Sequence, residues 1–164
     1  MDAAISGDSI LLNGTFVITQ AISLPVDKTL YFHGTDGTQV KYAAYDAANG
    51  NVFEQVNSTV STKEYHFYNL TISNAGGYGI IIKHGAKVVV EDCELFHNGW
   101  NGQGLSTTAA EVPGTLGYDS SAADLQAFYT GSNAGNGGAI RVELATQLEI
   151  IGNTVVQNLR AIRS

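Results

Sequence analysis

The sequence predicts an all-β fold of the solenoid kind, a stack of about five coils of short parallel strands that carries one long inserted loop. The first observation behind it is a repeat. The stretch "GGYGIIIKHGAKVVVEDCELFHNG", from Gly76 to Gly99, returns without a gap as "GNGGAIRVELATQLEIIGNTVVQN". Ile80 then falls on Ile140, Ile82 on Val142, Val88 on Leu148, Val90 on Ile150, Leu95 on Val155 and Asn98 on Asn158. The second observation is the rhythm inside each unit. Apolar and polar residues alternate over four or five positions, break at Gly or Asn, and alternate again, which is the period of short strands with one buried face. The third is composition: 164 residues, 44% hydrophobic and only 14% charged, with nineteen glycines and two prolines, suit strands joined by many tight turns.

Taken along the chain, "ILLNGTFVITQAISLPVDKTLYFHGTDGTQV", from Ile10 to Val40, supplies the opening coils. The next unit is "EYHFYNLTISNAG", which matches "VVVEDCELFHNG" at a shift of 23, placing Tyr65 on Val88, Phe67 on Val90, Asn69 on Asp92, Leu70 on Cys93 and Ile72 on Leu95. The following interval, from Val88 to Leu148, is 60 residues, one such unit and 37 more. Those extra residues are expected as a loop insertion over 97–136 within a single domain spanning 1–164. Strands this short cannot bury their inner faces as isolated hairpins, whereas coils stacked in register can. Repeats that come in register speak against an antiparallel sandwich.

Alternation assigns Leu70, Ile72, Ile80, Ile82, Val88, Val90, Cys93, Leu95, Ile140, Val142, Leu148, Ile150, Val155 and Ile162 to the interior. Asn69 and Asp92 fall at a turn, where their side chains are expected to satisfy backbone N–H groups. Cys93, the single cysteine, excludes an internal disulfide and reads as a small buried hydrophobe. "LRAIRS" matches the first strand of a new coil without a polar cap. The chain is therefore expected to be a piece of a longer protein, or to self-associate through that uncapped C-terminal coil.

Function classes can be narrowed by charge. A net charge of −7 with eight Lys and Arg does not suit a phosphate-binding surface, so nucleic acid is not an expected partner. No apolar run reaches the roughly 20 residues of a membrane span, and "MDAAISG" lacks the basic start of a signal peptide. No Ser/His/Asp constellation, HExxH motif, P-loop or dinucleotide fingerprint is present.

Candidate chemistry lies in four places. Glu91, Asp92 and Glu94, with His97 nearby, form an acidic cluster that could hold Ca²⁺ or act as an acid/base pair. Alternation sends Glu91 and Glu94 outward without convergence from the next unit, which carries Ile151, Gly152 and Thr154 there, so no metal site is assigned. Trp100, Tyr118 and Tyr129 in the insertion suit an aromatic platform for a sugar ring, and "SSAADLQAFY" has the look of a short helix with a Ser cap. The insertion reads first as a lid over Ile81 and Val89, outward apolar residues that should not face water together. Aligning Ile140 with Ile162 sets Arg141 and Arg163 side by side, with Glu143 next to the first. The pair could grip a carboxylate or sulfate, or serve only as a surface ion-pair cluster.

The coil sequences "IIGNTVVQN" and "VEDCELFHNG" resemble the right-handed parallel β-helix proteins of the pectate-lyase-like type, and the resemblance covers most of residues 9 to 163. It implies a right-handed β-helix. That fold serves polysaccharide lyases, epimerases and hydrolases, phage tail spikes, adhesins and plain shafts, so it implies little about activity. "GYGIIIKH" is similar to the "GYGFDPHE" of alginate C5-epimerases in its glycines and Tyr78, but that family's Asp and His fall on Ile81 and Lys83. The expectation is a non-catalytic shaft or carbohydrate-facing module of an extracellular, cell-surface or phage protein. The alternative is a lyase, epimerase or hydrolase acting on an acidic polysaccharide through Glu91, Glu94 and His97, with Ca²⁺ the one cofactor to consider.

Overall fold

The computed structural model describes residues 3–44, 49–99, 137–156 and 162–163. Within them the chain is all-β: fifteen strands in three sheets, five strands in each, every pairing parallel. Sheet A takes β1 (Asp8–Leu12), β4 (Leu30–Gly34), β7 (Glu64–Tyr68), β10 (Gly85–Glu91) and β13 (Ala145–Ile151). Sheet B takes β2 (Thr15–Ile18), β5 (Gln39–Tyr42), β8 (Thr71–Ser73), β11 (Glu94–Phe96) and β14 (Thr154–Val156). Sheet C takes β3 (Ile22–Ser23), β6 (Phe53–Gln55), β9 (Tyr78–Ile82), β12 (Gly138–Val142) and β15 (Ile162–Arg163). Each successive trio of strands thus adds one strand to every sheet, an arrangement consistent with a β-helix.

Register follows the repeat residue for residue. Tyr65, Val88 and Leu148 pair in sheet A, Ile72, Leu95 and Val155 in sheet B, and Ile80, Ile140 and Ile162 in sheet C. A slip of one residue would turn every apolar side chain outward, so the buried face holds the register. The interior is a set of columns. One runs Ile10, Phe32, Phe67, Val90, Ile150, with the three middle members fully buried and the two end members partly so. Phe32 and Phe67 stack at 5.4 Å and 8°, and Phe53 from sheet C meets Phe67 edge-on at 5.1 Å and 60°, so aromatic rings close the space between two sheets.

Turns repeat as well. Asn69, Asp92 and Gly152 occupy equivalent corners, all left-handed, with φ of 51°, 51° and 64°. Asn is among the few residues that enter this region readily. The expected role of the Asn69 side chain is corrected here. The Asn69 amide donates to the Gly34 carbonyl at 3.0 Å instead of accepting an N–H, and the Cys93 N–H is accepted one residue further round, by Asn153 Oδ1 at 2.8 Å. Glycine at 34 is required by this corner, since a Cβ there would stand 2.0 Å from the Asn69 carbonyl oxygen. Asn98, fully buried, accepts the Ala75 N–H at 3.1 Å and donates to the Ile72 carbonyl at 3.0 Å. A buried amide so placed joins two neighbouring turns and leaves no orphaned backbone group there.

The 37 extra residues of the long interval fall between β11 and β12, where Gly99 and Gly137 lie backbone against backbone. A Cβ on Gly99 would come within 2.1 Å of the Gly138 nitrogen, so the chain leaves and rejoins the stack at one point. The expected helix in "SSAADLQAFY" lies outside the described residues, as do Trp100, Tyr118 and Tyr129. Ile81 and Val89 are buried, at 6% and 3% exposure, and the insertion expected to lie over them falls outside the described residues.

Candidate functional site

Alternation along β4, β7, β10 and β13 turns one set of side chains inward and the other onto the outer face of sheet A. Leu30, Phe32, Tyr65, Phe67, Val88 and Val90 go in, while Tyr31, His33, Glu64, His66, Tyr68, Lys87, Val89, Glu91 and Glu149 go out. Parallel register sets the outward residues in rows across the strands. One row runs Ser9, Tyr31, His66, Val89, Glu149, and the next runs Leu11, His33, Tyr68, Glu91, Ile151. Rings in adjacent strands therefore stack: Tyr31 on His66 at 4.4 Å and 27°, His33 on Tyr68 at 4.6 Å and 11°. Those spacings match the strand repeat of a sheet, about 4.8 Å, so the stacking follows from the register.

Within β7 the outward residues are bonded along the strand. His66 Nε2 lies 2.9 Å from a Glu64 carboxylate oxygen and Nδ1 lies 3.0 Å from the Tyr68 hydroxyl. A carboxylate only accepts, so Nε2 carries the hydrogen, and in the neutral imidazole Nδ1 accepts from the Tyr68 O–H. The result is a carboxylate–imidazole–phenol chain whose middle member is buried, at 6% exposure, and whose ends reach the surface. Burial, helped by the Glu91 carboxylate in the adjacent strand, holds the Tyr68 phenol above its ordinary value, so it stays a hydrogen-bond donor at neutral pH. Lys87 binds Glu149 at 2.8 Å, and that hydrogen bond holds its ammonium above the usual range.

The residues singled out from the sequence are separated by the fold. Glu91 sits on this outer face, half-buried in register with Tyr68 and Ile151. Glu94 opens β11 in sheet B, exposed, and accepts from the Thr71 hydroxyl at 3.3 Å. Asp92 occupies the corner between the two sheets, and His97 follows β11 in a left-handed conformation, its ring 5.2 Å from that of Phe96. Glu91, Glu94 and His97 thus do not form one site, because the chain turns between the first two. Among the described residues no cluster of three His, Cys, Asp or Glu is placed to hold a metal ion.

Arg141 and Arg163 are directly opposite in sheet C, as the repeat demands. The Arg141 guanidinium is ion-paired with Glu143 and lies 5.6 Å from the centre of the Tyr78 ring, so its charge is already engaged. The Arg163 side chain lies outside the described residues. Cys93 is buried, and burial pushes its thiol up to about 11.

Tyr31, His33, Glu64, His66 and Tyr68 were missed in the sequence because "LYFHG" and "EYHFY" read as ordinary alternating strands. The available signal was the shared aromatic and His character of their outward positions. It became legible only when β4 was laid on β7, a shift of 35 residues for Leu30 to Tyr65 instead of the 23 seen later. No family model, curated protein or solved structure matches this chain. Among the described residues no helix is long and apolar enough to cross a membrane.

Proposed function

We propose that the chain is a right-handed parallel β-helix of the pectate-lyase-like type, of about five coils, serving as a non-catalytic carbohydrate-facing module of an extracellular, cell-surface or phage protein. The reading rests most on one observation, the outer face of sheet A. A strand face turned to solvent needs only scattered polar residues, yet here stacked rings and carboxylates occupy adjoining strands in two ordered rows. Rigid rings with polar edges, set on a scaffold that cannot collapse, suit sugar hydroxyls and the apolar faces of sugar rings. The test is retention of the protein on immobilised glycans, both uncharged and acidic, compared with a Tyr31→Ala, Tyr68→Ala variant. Retention lost in the variant supports the reading; absence of retention on every glycan refutes it.

The Glu64–His66–Tyr68 chain favours a second reading, acid–base chemistry on an acidic polysaccharide. A phenol hydrogen-bonded to an imidazole that is itself held by a carboxylate has the parts needed to pass a proton. Incubation with alginate, pectate and hyaluronan, with and without Ca²⁺, while absorbance of unsaturated uronate is followed, checks for lyase action. A rise abolished by Tyr68→Phe would establish it, and a flat trace would remove it for those glycans.

A further inference from the structure

We propose that the outer face of β1, where the ladder of rings stops, is a subsite for one uncharged sugar ring stacked on Tyr31. This rests on the reading of sheet A as the glycan-facing surface. The row containing Tyr31 is covered at its far side, since His66 lies against Tyr31 at 4.4 Å and Val89 follows His66 in register, itself buried. On the near side the position belongs to Ser9, which is exposed and has no ring to set against Tyr31. In the neighbouring row His33 is backed by Tyr68 at 4.6 Å, and the position before it belongs to Leu11, 70% exposed. Two stacks of rings thus end at one strand, one beside a hydroxymethyl group and the other beside an exposed apolar side chain. A ring placed over Ser9 would continue the stack at about the strand spacing of 4.8 Å, with Leu11 at its edge.

Charge selects the class of sugar. The outer face of sheet A carries the carboxylates of Glu64, Glu91 and Glu149, and the Lys87 ammonium on the same face is bound to Glu149. A chain of net charge −7 adds to the same field. A uronate or sulfated sugar would be repelled here, whereas an uncharged pyranose or furanose loses nothing on approach.

Titration calorimetry of the full chain with cello-oligosaccharide, laminarin and galactomannan fragments, against alginate and pectate fragments, tests the proposal. Binding is expected to an uncharged glycan. Tyr31→Ala should weaken it roughly five- to tenfold, the size of a lost ring stack. Ser9→Tyr, which puts a protein ring where the sugar would lie, should reduce it at least about tenfold without lowering the unfolding midpoint. Wild-type-like binding by Ser9→Tyr would overturn the subsite and leave the glycan-facing reading standing. Binding restricted to the acidic glycans would do the same. No binding to any of them would overturn both.

Discussion

Truncation of Phe67 should be among the most damaging single changes in the core, and the same truncation further along its own column should be much milder. Phe67 has no exposed surface, stacks on Phe32 at 5.4 Å and receives the edge of Phe53 at 5.1 Å. Phe67→Ala removes a whole ring from between two filled neighbours, Phe32 and Val90, which backbone pairing holds in place. The expected cost is about 4 kcal/mol, from lost transfer energy, an unfilled cavity and two ring contacts. For a chain of this size that lowers the thermal midpoint by about 12 °C. Ile10→Ala and Ile150→Ala, at the two ends of the column, start from partly buried side chains and should cost about 1–2 kcal/mol each. Urea unfolding followed by far-ultraviolet circular dichroism measures all three. Equal costs at the middle and the ends would refute the idea that each column is stabilised by neighbours on both sides.

Asn98→Leu keeps the volume but strands the Ala75 N–H and the Ile72 carbonyl, and should cost about 2–4 kcal/mol in the same assay, more than Asn74→Leu at a half-buried corner. Gly99→Ala meets both a left-handed φ of 95° and the Gly138 nitrogen, so a loss of at least about 2 kcal/mol is expected, visible as a lower midpoint. Cys93 should resist a disulfide-exchange reagent at pH 8 in the folded protein and react at once in denaturant, because burial keeps it a thiol. Its folded value, about 11, is raised above the ordinary 9.0, so its contribution to stability is complete below pH 9 and is lost as pH rises through 11. The loss is on the order of 2 kcal/mol, and Cys93→Val should flatten that part of the stability–pH curve; an unchanged slope would refute it.

The later strands were legible in the sequence because burial is periodic and register copies the period. Once Val88 must face inward, so must Leu148 sixty residues on, and the pairing of the two follows from the need to bury both. The pairing of Arg141 with Arg163 could be read in the same way. The earlier pairings were harder: β4 to β7 shifts by 35 residues and β6 to β9 by 27, so intervening turns of unequal length hide the repeat from a linear comparison. A buried Gln55, which accepts the Lys83 and His84 N–H groups at 3.2 and 3.1 Å, was also beyond sequence reasoning, because a polar residue inside is stable only with partners the chain brings from elsewhere.

The sequence by itself determined which face of each repeated strand is buried, since alternation and the cost of wetting apolar side chains leave one solution. Only the tertiary structure decided which outward side chains meet. Glu91 and Glu94 are three residues apart and lie on different sheets, while Tyr31 and His66 are 35 residues apart in sequence and lie 4.4 Å apart. Neighbourhood on an outer face is set by strand pairing across turns of unequal length, and turn lengths carry no hydrophobic period to read.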